Sequence, residues 1–299
     1  MTNRSKAMTF GLATVFIWST VASAFKLSLR HLTPVQLLLL ACVASILALL
    51  GVLAWQGKLR ELHMPRKDLL RASGLGVLNP FLYYIILFKA YDLLPAQEAQ
   101  PLNYTWAVTL SLLSIPLLGQ RMTLRQLAAI FVSYSGVVVI STRGDLFNMQ
   151  FSDPLGVGLA LFSTVIWALY WIFNTSGKGD PVAGLLVNFL AALPLILAAC
   201  LLTDGLPSAT LPGLLGAAYV GVFEMGITFA LWLTALKFAS MPDGGGNARI
   251  ANLIFLSPFL SLVLIHFIVG EEILPSTIGG LVLIILGNAL MQLGRRSAP

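Results

Sequence analysis

Gly119-Gln-Arg-Met-Thr-Leu-Arg-Gln-Leu-Ala-Ala129, with Gly136 seven residues on, recurs as Gly270-Glu-Glu-Ile-Leu-Pro-Ser-Thr-Ile-Gly-Gly280, with Gly287 seven residues on. Other pairs follow in the same order along the chain. Gly76-Val77 and Ala90 match Gly221-Val222 and Ala235, and Trp18 matches Trp167. The chain therefore reads as a duplication, residues 1–147 and 148–299.

Composition fixes the solvent of the repeated unit. With 58% hydrophobic and 10% charged residues among 299, there is too little polar surface to solvate a globule. A bilayer core about 30 Å thick takes roughly 20 apolar residues per helix, and charge-poor stretches of that length recur throughout. We read ten spans, at approximately 8–27, 35–55, 72–90, 96–118, 124–142, 154–174, 182–202, 211–236, 244–269 and 274–293. The expected fold is an all-α membrane protein of two five-helix repeats. Five is odd, so the second repeat enters the membrane from the opposite side, an inverted plan.

Lysines and arginines orient it. With the amino terminus inside, Arg4, Lys6, Lys58, Arg60, Arg66, Lys67, Arg71, Arg121, Arg125, Lys178, Lys237, Arg295 and Arg296 fall on the cytoplasmic side. Only Lys26, Arg30, Lys89 and Arg143 fall outside, which places both termini in the cytoplasm. The same dispersal over helix ends argues against a nucleic-acid partner for the net charge of +6. Cys42 and Cys200 lie inside spans and are expected as free thiols. Arg4 and Lys6, an apolar run and Ala22-Ser23-Ala24 imitate a cleavable signal peptide, but the run is long and its counterpart in the second half is a mature span, so retention is expected.

The repeat and the Pro258-to-Gly270-Glu271 run resemble the drug/metabolite transporter superfamily, in particular its EamA-type members. Pro101-Leu-Asn-Tyr-Thr-Trp106 is similar to the fourth span of its aromatic amino-acid and methyl viologen exporter branch. The first half departs by carrying Gln120-Arg121 where the second has the acidic residue. The resemblance implies an inner-membrane exporter of amino acids or related metabolites, with a cavity lined by spans one, three, four, six, eight and nine.

Polar groups in hydrocarbon are costly and mark candidate sites. Glu224 lies mid-span, with Thr228 and Trp232 following at intervals of four on one helical face. Its repeat counterpart is Asn79, followed by Tyr83. Such pairing points to a midplane site at the repeat interface. Span four presents Gln100, Asn103, Tyr104, Ala107 and Ser111 on one stripe, and Asn252 is the comparable amide in span nine. Trp18, Trp167, Tyr83, Tyr104, Tyr170 and Trp171 could form an aromatic lining that holds apolar side chains and attracts cations, with core packing the competing reading. Glu224 could carry a proton or meet a substrate amine; pairing with Arg249 is the structural alternative, and Arg249 could equally snorkel or gate. Gly244, Gly245 and Gly246 open span nine as a hinge or a plain flexible loop.

Gly177-Lys178-Gly179 lacks Walker A spacing, and His31, His63 and His266 have no metal-ligand spacing, so neither a nucleotide, a cofactor nor a metal is expected. No nucleophile or paired-acid motif supports a membrane enzyme. The sequence thus predicts a secondary or facilitative transporter of a small amphipathic metabolite, working by alternating access as a monomer. A multidrug or toxic-cation exporter and a non-transporting scaffold are the alternatives.

Overall fold

A computed structural model describes residues 2–119, 123–147, 151–174, 179–208, 210–244, 246, 250 and 252–295, with side chains to residue 290. Every regular element among them is helical: α1 (Asn3–Ser28), α2 (Pro34–Trp55), α3 (Arg66–Leu93), α4 (Ala96–Asn103), α5 (Trp106–Leu118), α6 (Leu124–Ser141), α7 (Pro154–Asn174), α8 (Pro181–Thr203), α9 (Leu211–Ser240), α10 (Leu253–Val269) and α11 (Pro275–Arg295). Seven of these, α1 to α3 and α6 to α9, are long and apolar enough to cross a membrane, and α10 and the Pro275–Leu290 part of α11 are shorter apolar stretches. The protein is a multi-pass membrane protein.

Local chemistry sets the boundaries. Thr33 with Gln36, and Thr123 with Gln126, form capping boxes that open α2 and α6, and Asp180 caps α8 through the amides of Val182 and Ala183. Gly57, at φ +66, closes α2. Three features depart from the even spans expected. The fourth breaks into α4 and α5 around Tyr104–Thr105, three residues past Pro101. In α3 the helix kinks within Val77–Leu82, where Asn79 leaves helical geometry at φ −140° and ψ 117°. In α9 the turn Val220–Ile227 widens into a π-segment. The two interruptions stand at matched places in the repeat, one just after Gly76 and the other around Gly221.

The helices gather into two compact units, Met1–Phe81 with Gly177–Val269, and Leu82–Ser176 with Gly270–Pro299. Each unit draws on both copies of the repeat.

In the first unit α2 and α8 run antiparallel. Lys58, past the end of α2, pairs with Asp180 at 2.6 Å, while Thr33 at the start of α2 donates to Asp204, past the end of α8, at 2.7 Å. Between these ends the Cys42 thiol reaches the Phe189 carbonyl at 3.7 Å. Both cysteines are free and buried. Two glycines seat α3 and α9 on this pair. A β-carbon added at Gly76 would stand 3.1 Å from the carbonyl carbon of Asn188 on α8, and one at Gly221 would stand 3.0 Å from that of Ala41 on α2. Ser45 of α2 donates to the Met225 carbonyl at 3.0 Å, serving an acceptor in the wide turn of α9.

In the second unit α6 and α11 pack along their small residues. A β-carbon at Gly136 would lie 3.0 Å from both the β-carbon of Leu283 and Cγ1 of Ile284, and one at Gly287 would lie 2.7 Å from Ser133 Cβ and from the Ala129 carbonyl oxygen. As the residue number rises on one helix it falls on the other, so these two also run antiparallel. Backbones this close gain dispersion energy that larger side chains would forbid, which is what holds helices together in lipid.

Asp180 also links fold to pH. Burial opposes its charge, but the hydrogen bond and ion pair from Lys58 and the amides of Ala183 and Val182 outweigh it and hold the carboxyl below the ordinary carboxylate range. A depressed value contributes stability above the unfolded pKa of about 3.9 that is lost as pH falls through the folded value.

Two outcomes follow for thermal melts of purified protein. Gly136→Leu lowers the midpoint by several degrees, since overpacking costs about 1–3 kcal/mol, whereas Gly158→Ala, with nothing within 4 Å, leaves it nearly unchanged. Asp180→Asn melts below the parent at pH 7, and the gap closes as pH drops under about 4.

Candidate substrate-binding site

Four residues of α7, Ser163, Trp167, Tyr170 and Trp171, recur at spacings that place them on one helical face. In the second unit this face meets α3 and α4. Trp167 stacks on Tyr83 with centroids 4.6 Å apart and planes 28° apart, and on Tyr170 at 5.7 Å. Trp171 closes edge-on at 5.9 Å. Beside this stack runs a polar line: the Tyr83 hydroxyl donates to Asn103 Oδ1 at 3.4 Å, and Asn103 Nδ2 donates to Ser163 Oγ at 3.0 Å. Two buried polar atoms here, Gln100 Oε1 and Trp171 Nε1, have no hydrogen-bond partner in the protein. Buried groups are almost always paired, so such atoms mark a place where a ligand or water completes the set. Tyr104, the other residue expected in this region, sits at the α4–α5 break, where its carbonyl accepts from Asn288 at 3.1 Å.

What positions Asn103 is unusual. An eight-residue helix has little stability of its own, and α4 is held at its first turn by side chains from distant parts of the chain. The Glu271 carboxylate accepts the Ala96 and Gln97 amides at 2.8 and 3.0 Å, placing negative charge at the positive end of the helix. Gln97 donates to the Glu272 carbonyl at 2.7 Å and accepts from Leu274 and Thr277 at 2.9 and 3.1 Å. Glu98, 1% exposed, pairs with Arg143 at 2.9 Å and also accepts from Ser152. The sequence reading passed over Gln97 and Glu98. A carboxylate inside an expected span was the available signal.

The first unit brings a second set together. Trp18 of α1 packs against Trp232 at 5.5 Å and edge-on to Phe229 at 6.5 Å. Glu224 is half-buried within the wide turn of α9, and that turn shifts its register relative to Thr228 and Trp232. Thr228 is fully buried, its hydroxyl donating to the Phe223 carbonyl five residues back. Asn79 is 1% exposed, and its Oδ1 has no hydrogen-bond partner. Gly244 and Gly246 close the end of α9: Gly244 donates to Met241 at 2.9 Å, and Gly246, at φ +84, donates to Ala239 at 3.0 Å. Gly245, Arg249 and the Asn252 side chain lie outside the described residues.

Comparison with known proteins gives the family. A profile of the EamA-like transporter family matches twice, over residues 5–142 and 154–293. An uncharacterized transporter of Archaeoglobus fulgidus is 25% identical over 92% of this chain and 94% of its own length. The aromatic amino acid exporter YddG of Ancylobacter novellus is 26% identical over 88% of each. A solved crystal structure shares the fold with a TM-score of 0.64 at 24% identity, covering 99% of this chain and 100% of that one. Two matches that together span most of the chain settle its kinship: this protein belongs to the EamA-like transporter family.

Proposed function

We propose that this protein exports amino acids with aromatic or other apolar side chains across the inner membrane by alternating access, as a ten-span protein of two inverted five-helix repeats, 1–147 and 148–299, with both termini cytoplasmic. The observation that carries the substrate is the Tyr83–Trp167–Tyr170 stack with its Asn103–Ser163 hydrogen bonds. Ring faces hold an apolar or aromatic side chain, and the amide line beside them meets polar groups of the same molecule. The relative from Ancylobacter novellus, named as an aromatic amino acid exporter, points the same way. What supports the inversion is the reciprocity of the seats: Gly136 against α11 and Gly287 against α6, on helices that run antiparallel.

Glu224 and Asn79 take a separate role in this reading. Glu224 stands in the widened turn of α9 and Asn79 at the kink of α3, at matched places in the repeat, and such interruptions concentrate at functional sites. Glu224 carries the proton, or meets the substrate amine. Thr228 serves the backbone, so its substitution acts on folding. A second reading is export of toxic organic cations, favoured by the stacked tryptophan and tyrosine rings, whose faces attract cations.

Proteoliposomes test both. Labelled phenylalanine is expected to be transported, with Trp167→Ala and Asn103→Ala each raising KM about tenfold, the loss of one aromatic or amide contact of about 1.4 kcal/mol. If Glu224 carries the proton, Glu224→Gln keeps binding and loses any response to an imposed pH gradient; if it meets the substrate amine, the variant loses binding. Flux of methyl viologen without flux of aromatic amino acids supports the second reading, and no flux of either sinks both.

A further inference from the structure

The chain between α2 and α3 differs from its counterpart in the second half. Lys58, Arg60, Arg66, Lys67 and Arg71 fall within residues 58–71, offset only by Glu61 and Asp68, whereas residues 204–210, between α8 and α9, contain no lysine or arginine. The positive-inside bias accounts for this difference between loops on opposite sides, and the folded protein can give the same cations a second role.

Their geometry suggests one. Gly57 ends α2 in the left-handed conformation, Lys58 donates its amide back to Leu53 at 2.8 Å, and its ammonium is fixed on Asp180. A short 3-10 turn, Leu59–Leu62, follows, and Arg66 opens α3. The segment is therefore held at both ends. Arg60, Arg66 and Lys67 are exposed and form none of the ion pairs among the described residues. Apolar side chains flank them: Trp55 is 88% exposed, Leu70 64% and Leu59 45%. An aromatic ring and leucines beside uncommitted cations at the end of a membrane helix match the boundary between acyl chains and phosphate headgroups.

We propose that residues 55–70 bind an anionic phospholipid, its phosphate on Arg60, Arg66 and Lys67 and its upper acyl chains against Trp55, Leu59 and Leu70. Holding the segment in place beforehand lowers the cost of ordering it on the lipid. The contact is a property of the folded protein, and so differs from the effect of the same charges on topology during insertion.

Native mass spectrometry of the purified full chain tests this by titration with phosphatidylglycerol and with phosphatidylcholine of the same chains. Wild type is expected to prefer phosphatidylglycerol. Arg60→Gln, Arg66→Gln and Lys67→Gln each weaken that preference about fivefold, and the triple variant loses it, a change of about a hundredfold. Arg125→Gln, on another exposed helix start, keeps the preference. Free glycerol phosphate competes weakly if the acyl contacts matter, and fully if this is a site for a soluble phosphate, which would overturn the lipid assignment. Equal binding of both lipids by wild type, or an undiminished preference in the single variants, also overturns it; the single variants decide if the triple fails to fold.

Discussion

Close approach of backbones is the constraint on which this structure depends. Lipid chains are as apolar as leucine, so burying leucine between helices gains nothing comparable to the hydrophobic effect in water. What remains is contact density, and glycine supplies it. Gly76 rests on α8, Gly221 on α2, Gly136 on α11 and Gly287 on α6. These four are two pairs of repeat-equivalent residues. Duplication has therefore copied the packing code together with the helices, and each copy's glycine finds its seat on a helix of the other.

Close packing of this kind frees other parts of the backbone to be irregular. The wide turn in α9 leaves carbonyls that a regular helix would occupy, and Ser45 and Thr228 serve two of them. The break between α4 and α5 is tolerated because Glu271, Gln97, Glu98 and Asn288 tie the short helix from both ends. Glu271 occupies the acidic position of the repeated motif, and its partner amides belong to Ala96 and Gln97. Its role is to anchor the helix that carries Asn103. The first copy has Gln120-Arg121 at this position, so an anionic cap is a feature of one half alone.

Periodicity made most helices legible. Expected and observed ends of α2, α6, α7 and α8 agree within about one residue, since Thr33, Thr123, Pro154 and Asp180 are strong starting signals. The small residues Ala129, Ser133, Gly136, Gly280 and Gly287 are visible in the sequence, and close helix packing is where they lie. Pattern reasoning assumes a constant 3.6 residues per turn, and it lost register where that fails. It placed Glu224, Thr228 and Trp232 on one face across a turn that widens, and it ran span four straight through the break at Tyr104–Thr105. The aromatic set was visible as residue types, but hydropathy gives no pairing; that Trp167 meets Tyr83 while Trp18 meets Trp232 needed coordinates. Gln97 and Glu98 were missed because a helix start looks polar whether or not it is pinned.

The proposed inversion is the central claim, because it turns a duplicated sequence into a machine with two equivalent openings. Its most direct test is the sidedness of equivalent positions. Single cysteines at Thr123, before α6, and at Glu272, before α11, in a background lacking Cys42 and Cys200, are exposed to a membrane-impermeant maleimide in intact cells and after permeabilisation. The account predicts that the Glu272 position labels in intact cells and the Thr123 position only after permeabilisation. Labelling of both from the same side would contradict it.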